Sequence, residues 1–144
     1  MDYPAPESDA SPIALLIIAH GSRRAEANFE LVELAESLRR QSHYHLIEIA
    51  YLELATPTIA EGACHCVEKG ARQVVLLPYF LSSGVHVRQD LQMSCSELTK
   101  RYPGVGFVLA EPLGKHPLLT QILWQRAQEA LLNQQGNRPD KQHD

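Results

Sequence analysis

The sequence lacks any long apolar run. Among its 144 residues, no hydrophobic stretch approaches the roughly 20 residues that a membrane-spanning helix requires. The N-terminal residues are acidic and include proline, without the basic region and following apolar region that mark a secretory signal peptide. We therefore expect a cytoplasmic protein with no membrane partner.

Cysteine and basic charge are also scarce. The cysteines are Cys64, Cys66 and Cys95, an odd number without a paired framework, which indicates free thiols in a reducing compartment. The formal net charge is −4 and no basic stripe is present, which argues against a nucleic-acid partner. Hydrophobic residues at 44% and charged residues at 21% are ordinary for a globular protein, and the length suits one domain.

Apolar segments that fit strands alternate along the chain with amphipathic segments that fit helices. The first apolar run, Ile13–Ala19, has no polar alternation, which is typical of a strand covered on both faces in a parallel sheet. Since strands joined by helices predict a parallel sheet, and no glycine-rich dinucleotide fingerprint is present, we predict a flavodoxin-like α/β domain. Its four-stranded sheet has the order 2-1-3-4, with helices on both faces. The predicted strands are Ile13–Ala19, Leu46–Tyr51, 74–77 and 105–109, and the predicted helices are Ala25–Gln41, 57–69, 87–101 and one that begins near Pro117.

The domain limits follow from composition. Residues 1–12 and 133–144 are polar and show no periodicity, so we expect flexible tails on either side of a domain at 13–132. Within the domain, Thr56 precedes Pro57 in a pattern that predicts the N-cap and first residue of the second helix.

Three side chains able to bind a metal follow the first three predicted strands. These are His20, Glu53 and His86. In the order 2-1-3 the strands are neighbours at about 4.8 Å, so their carboxyl ends place the three residues along one rim of the sheet. Two imidazoles and a carboxylate suit Fe²⁺, Co²⁺, Ni²⁺ or Zn²⁺, and an imidazole also accepts protons near neutral pH. The alternative is that they are three unrelated polar residues at the starts of loops.

The same rim is rich in positive charge and hydrogen-bond donors. Helix N-termini there offer free backbone N–H groups and a partial positive charge. Such a rim suits a ligand with several carboxylates or phosphates, whereas the alternative is a set of solvated surface charges. The basic residues are Arg23, Arg24, Arg88 and Lys115, and the small or hydroxyl residues beside them are Ser22, Ser82, Ser83 and Gly84.

Four motifs in this order resemble those of the class II chelatases, most closely the short sirohydrochlorin chelatases that insert a metal for sirohaem or cobalamin synthesis. The resemblance covers residues 13–132. The motifs are Ala-His-Gly-Ser-Arg at 19–23, Tyr-Leu-Glu-Leu-Ala-Thr-Pro at 51–57, Leu-Pro-Tyr-Phe-Leu-Ser-Ser-Gly-Val-His-Val at 77–87 and Pro-Leu-Gly-Lys-His-Pro at 112–117.

The resemblance implies roles for these residues. His20 and His86 would coordinate the incoming metal, His20 would also take a pyrrole proton, and Glu53 would assist. The expected substrate-binding residues are Ser22, Arg23, Leu81, Ser82, Ser83, Gly84, Val85, Arg88 and His116, although His116 also fits a helix-capping role. The metal is then a substrate, and we expect neither a permanent cofactor nor an iron–sulfur cluster. Because the chain is similar to one half of longer family members, we expect a homodimer.

The residues leave other functions open. We favour Fe²⁺ and sirohaem over Co²⁺ or Ni²⁺, because features of the cobalt pathway are not seen in the sequence. A non-catalytic metal carrier would use the same His20, Glu53 and His86, and a phosphate or nucleotide binder would use residues 21–24 without a P-loop motif. Cys64, His65 and Cys66 point in different directions on a helix, so we do not assign them a metal.

Overall fold

The protein alternates four strands with four helices. The structure, a computed structural model, describes residues 12–44 and 46–136. It divides into two compact units, Met1–Pro112 and Leu113–Asp144. The elements are β1 (Ile13–Ala19), α1 (Ala25–Gln41), β2 (Leu46–Tyr51), α2 (Ile59–Glu68), β3 (Gln73–Pro78), α3 (Val85–Arg101), β4 (Gly106–Leu109) and α4 (Pro117–Gly136).

The sheet lies in the first unit and confirms the predicted topology. Its order is β2-β1-β3-β4, and β1 pairs in parallel with both β2 and β3. Ile18, near the end of β1, is aligned with Ala50 on one side and Pro78 on the other. The carboxyl ends of these three strands therefore open onto the same edge of the sheet.

Alternate residues of β1 supply the cores on the two sides of the sheet. Leu16 and Ile18 are buried in a cluster that includes Ala63 of α2 and Leu91 of α3. Ile17 points the other way, into a second cluster with Leu31 and others from α1. Since successive strand residues face opposite sides, the unbroken apolar run of β1 places helices on both faces, as predicted.

Two helix starts differ from the prediction. Thr58, not Thr56, caps α2, because its hydroxyl accepts a hydrogen bond from the N–H of Glu61 at 3.2 Å. Residues before it stay close to β2, since the Tyr51 N–H donates to the Pro57 carbonyl at 2.9 Å. Helix α3 begins at Val85 rather than at residue 87, with Gly84 in extended conformation as its N-cap.

The ends of the described chain also differ from the expected tails. The Pro12 carbonyl accepts the Arg72 N–H at 2.9 Å, which ties this residue to the start of β3. Helix α4 continues through Gly136, beyond the predicted limit at 132, since glutamines at 134 and 135 favour helix. The remaining tail predictions, for 1–11 and 137–144, lie outside the described residues.

Helix α4 belongs to the second unit and has no buried residue. Leu123 and Trp124 are each about 70% exposed, and Leu131 and Leu132 are also exposed. Within the described part of the chain, no helix has both the length and the apolar character needed to cross a bilayer.

Candidate active site

His20 lies directly after β1, at the carboxyl edge of the sheet, and is exposed. Its imidazole packs beside the ring of Phe80, with centroids 4.5 Å apart and planes tilted by 34°. Phe80 follows β3, whose pairing with β1 continues because the Tyr79 N–H donates to the Ile18 carbonyl at 2.7 Å. The neighbouring strand thus supplies an aromatic support for His20 and leaves its imidazole open to solvent.

Glu53 lies beside His20 because the pairing of β1 and β2 continues beyond both strands. The Leu52 N–H donates to the Ala19 carbonyl at 2.9 Å, and the Glu53 N–H donates to the His20 carbonyl at 3.1 Å. Both candidate side chains are exposed. The backbones of these two predicted site residues are therefore directly joined.

Gly21 permits this close approach. Its φ is +91°, and a Cβ built on it would lie 1.8 Å from the Glu53 carbonyl oxygen. Any side chain would force the two loops apart, and a left-handed φ is costly for every residue other than glycine. The glycine of the His-Gly-Ser motif is therefore required by its contact with the Glu53 loop.

Asn28, on the first turns of α1, holds the loop that follows His20. Its Oδ1 accepts the Ser22 N–H at 2.9 Å, and its Nδ2 donates to the Ser22 carbonyl at 2.8 Å. The Tyr51 hydroxyl donates to the Asn28 carbonyl at 2.7 Å, and burial raises the pKa of Tyr51, which keeps the phenol protonated. The sequence prediction does not include Asn28. Its one local signal is its position near the start of a helix, and an asparagine there is equally compatible with a solvated side chain.

The loop between β3 and α3, together with the first residue of α3, exposes apolar side chains beside free backbone groups. Leu81 is 62% exposed and Val85 is 71% exposed. No heavy atom lies within 4 Å of a Cβ built on Gly84, so the space beside this N-cap is open. The first N–H groups of a helix lack intrahelical partners, so this segment combines apolar contact surface with donors for an anion.

His86 lies in the first turn of α3, not in a loop as predicted, because α3 begins at Val85. Its side chain is exposed. Among the described residues, the structure does not bring any three His, Cys, Asp or Glu side chains into a group that could hold a metal. His20 and Glu53 are adjacent through their backbones, and the three-ligand set with His86 stays a prediction.

Arg88, two residues further along α3, forms an ion pair with Glu111. Its Nη2 lies 3.1 Å from the Glu111 Oε2, and both side chains are more than half exposed. The two residues line a cavity of about 230 Å³ between α3 and the ends of β3 and β4, together with Ser83 and Gln92. The cavity offers a guanidinium, a hydroxyl and an amide on an edge of the candidate site.

Two other predicted substrate residues have different settings. Arg23 is exposed in the loop between His20 and α1. His116 belongs to the second unit, where its Nδ1 accepts the Leu118 N–H at 3.2 Å at the start of α4. This contact supports the capping alternative for His116, and its contact with substrate stays a prediction.

Cys66 and Cys95 do not provide thiolates to a site. Burial raises the pKa of Cys66 to about 12 and also raises that of Cys95, so both thiols are protonated at neutral pH. Cys64 contacts Glu68, with its Sγ 3.4 Å from the carboxylate Oε1, whereas His65 is exposed. As predicted, the run from Cys64 to Cys66 does not converge on one point.

Comparison with known proteins shows which family the chain belongs to. The profile of the CbiX family matches residues 14–130. The chain belongs to the CbiX family. It is 34% identical over 123 residues to the chloroplastic sirohydrochlorin ferrochelatase of Arabidopsis thaliana, a match that covers 85% of this chain and 55% of that protein. It is 32% identical over 119 residues to the sirohydrochlorin cobaltochelatase of Sulfolobus acidocaldarius, covering 83% of this chain and 93% of that protein.

A solved chelatase structure has the same fold. The sirohydrochlorin chelatase SirB from Bacillus subtilis subspecies spizizenii, in complex with cobalt, matches with a TM-score of 0.74 and 27% identity. The match covers 81% of this chain and 50% of SirB. This CbiX chain thus spans about half the length of several relatives that it matches, and nearly the whole length of the Sulfolobus protein.

Proposed function

We propose that this CbiX protein inserts a divalent metal into sirohydrochlorin with release of two protons. The observation that carries the proposal is the pair of exposed residues His20 and Glu53 on hydrogen-bonded loops at the carboxyl edge of the sheet. Relatives named sirohydrochlorin ferrochelatase and cobaltochelatase support the assignment of substrate.

The incoming metal is held by His20, Glu53 and His86. Imidazole nitrogens and a carboxylate bind Fe²⁺, Co²⁺ and Ni²⁺, and a set of at most three protein ligands leaves coordination positions for ring nitrogens. The protein ligands must orient the metal and then lose it to the four nitrogens of the macrocycle. All three side chains are exposed, so both substrates reach them from solvent.

Once the metal has left His20 for the macrocycle, the freed imidazole lone pair accepts one proton from a pyrrole nitrogen, and water takes the second. Two N–H protons must leave the ring as the metal enters, and imidazole is the side chain best suited to accept a proton at neutral pH. Phe80 packs beside His20 and restricts the positions open to the imidazole. The His20 imidazole can therefore transfer its proton to solvent without leaving the site.

The macrocycle contacts the loop between β3 and α3. Exposed Leu81 and Val85 meet the flat ring, while Arg23 and Arg88 bind some of the eight carboxylates of sirohydrochlorin. Charge-assisted pairs between guanidinium and carboxylate are among the stronger polar contacts in proteins. The remaining proposed substrate residues are Ser22, Ser82, Ser83, Gly84 and His116.

The functional protein is a homodimer. One copy of the chain presents a single binding surface to a large macrocycle, and a second copy provides more surface. The exposed apolar residues of α4, among them Leu123 and Trp124, support association of two chains. Sedimentation equilibrium distinguishes a dimer from a monomer of 16.1 kDa.

Anaerobic metal insertion into sirohydrochlorin, followed by absorbance, tests the function. Fe²⁺, Co²⁺ and Ni²⁺ are compared, with Fe²⁺ expected to be the best substrate. His20→Ala and His86→Ala should lose most of the acceleration, by about 10²–10⁴-fold for a proton acceptor such as His20. His65→Ala is the matched control, because His65 is an exposed histidine on α2.

The outcomes separate an enzyme from a carrier. Acceleration by wild type and by His65→Ala, lost in both other variants, supports the chelatase and ranks its metals. If folded wild type binds metal but does not accelerate insertion of any of the three, the protein is better described as a metal carrier. Equal rates for wild type and His20→Ala would contradict the proposed role of His20.

A further inference from the structure

A chain of hydrogen bonds joins the loop that carries His20 to the strand that leads to Glu53. The Tyr51 hydroxyl donates to the Asn28 carbonyl at 2.7 Å, and the Asn28 side-chain amide makes two bonds to the backbone of Ser22, at 2.9 and 2.8 Å. We call these three residues the Tyr51–Asn28–Ser22 brace.

The brace spans the two candidate metal-binding loops. Ser22 follows His20 by two residues, and Tyr51 precedes Glu53 by two residues. Tyr51 is only 3% exposed and packs in the core beneath α1, so one end of the brace is fixed. The brace therefore fixes the position of the Ser22 backbone relative to the end of β2, where the Glu53 loop begins.

The contact with Ser22 requires both groups of an asparagine side chain. Its Oδ1 accepts a backbone N–H while its Nδ2 donates to the carbonyl of the same residue. Alanine removes both bonds, and aspartate retains an acceptor but places a carboxylate oxygen against the Ser22 carbonyl. Neither replacement can hold the loop in its present position.

We propose that Asn28 is a positioning residue that fixes the separation of His20 and Glu53 during metal transfer. The inference rests on the proposed chelatase function. Asn28 bonds to Ser22 through the Ser22 backbone and does not belong to the loop at 81–85 that is proposed to contact the macrocycle. Because the loop that Asn28 holds also carries the proposed substrate residues Ser22 and Arg23, loss of Asn28 should lower kcat by a larger factor than it raises the KM for sirohydrochlorin.

The test compares Asn28→Ala, Asn28→Asp and Tyr51→Phe with Gln41→Ala. Gln41 is the matched control, because its amide also lies on α1 and donates to the Ser37 hydroxyl in an exposed hydrogen bond at the far end of the helix. A displacement of about 1 Å at a reacting group can cost about 10²-fold in rate, so we expect this loss of kcat in both Asn28 variants. Tyr51→Phe removes one hydroxyl and should show a smaller loss, whereas Gln41→Ala should match wild type.

Amide hydrogen exchange gives a second reading that does not depend on activity. The Ser22 amide should exchange at least about tenfold faster in Asn28→Ala than in Gln41→Ala, since its acceptor is lost. If the Asn28 variants keep wild-type kcat, the positioning role is wrong, whatever their melting temperatures. If wild type inserts no metal, the proposed function is wrong. If, in addition, the Ser22 amide exchanges at the same rate in Asn28→Ala and Gln41→Ala, the brace is wrong as well.

Discussion

Replacement of Gly21 by alanine should separate the two loops that carry His20 and Glu53. The added methyl group would lie 1.8 Å from the Glu53 carbonyl oxygen and 3.3 Å from the Cβ of Tyr51. The first distance is far below van der Waals contact, so the loops must move apart by roughly 1 Å or more. This movement strains or breaks the hydrogen bond from the Glu53 N–H to the His20 carbonyl.

The expected loss of stability has two parts. A left-handed φ costs about 1–2 kcal/mol for a residue other than glycine. Overpacking against the Glu53 backbone adds about 1–3 kcal/mol. Gly70→Ala isolates the first part, because Gly70 has φ +94° and no heavy atom lies within 4 Å of its added Cβ.

Urea unfolding measures both variants, and metal insertion measures the site. Gly21→Ala should be less stable than Gly70→Ala by the overpacking cost, and its kcat should fall by about 10²-fold from displacement of the candidate ligands. Gly70→Ala should keep wild-type kcat. Equal unfolding free energies for the two variants, with wild-type activity in both, would refute the contact between Gly21 and Glu53 as a constraint on the site.

Two further predictions concern charge and protonation. Arg88→Ala should raise the KM for sirohydrochlorin with little change in unfolding free energy, because an exposed ion pair contributes only about 0–1 kcal/mol. Glu111→Gln should keep or lower that KM in steady-state assays, and a KM unaffected by Arg88→Ala would contradict carboxylate binding by Arg88. Burial raises the pKa of Cys66 from 9.0 to about 12, so above pH 9 the unfolded chain loses this proton before the folded one. The unfolding free energy should therefore fall between pH 9 and 12, and denaturation of Cys66→Ala should show a smaller fall.

The fold was largely predictable from local patterns. The apolar run of β1 and the amphipathic spacing of α1 give the correct bounds for both elements. The helix starts were less predictable, since both Thr56 and Thr58 are good N-cap residues in isolation. The contact of the Pro57 carbonyl with Tyr51 keeps the preceding segment against β2 and leaves Thr58 to cap α2.

Of the candidate site, only the exposed residues with metal-binding or proton-accepting side chains were predictable from the sequence. His20 and Glu53 follow recognisable strands, so strand order alone places them on one rim. The support of His20 by Phe80 and the brace through Asn28 involve residues with ordinary local signals. Side chains of these types are more often core or solvated residues, so sequence reasoning had no physical ground to select them.

The sequence by itself determined the alternation of strands and helices, because periodicity and turn chemistry act over neighbouring residues. It also determined which side chains capable of metal or proton chemistry follow the strands. Only the tertiary structure decided that Gly21 meets the Glu53 carbonyl and that Arg88 pairs with Glu111. Such contacts join distant parts of the chain, and they exist only once the parallel sheet has brought the ends of its strands together.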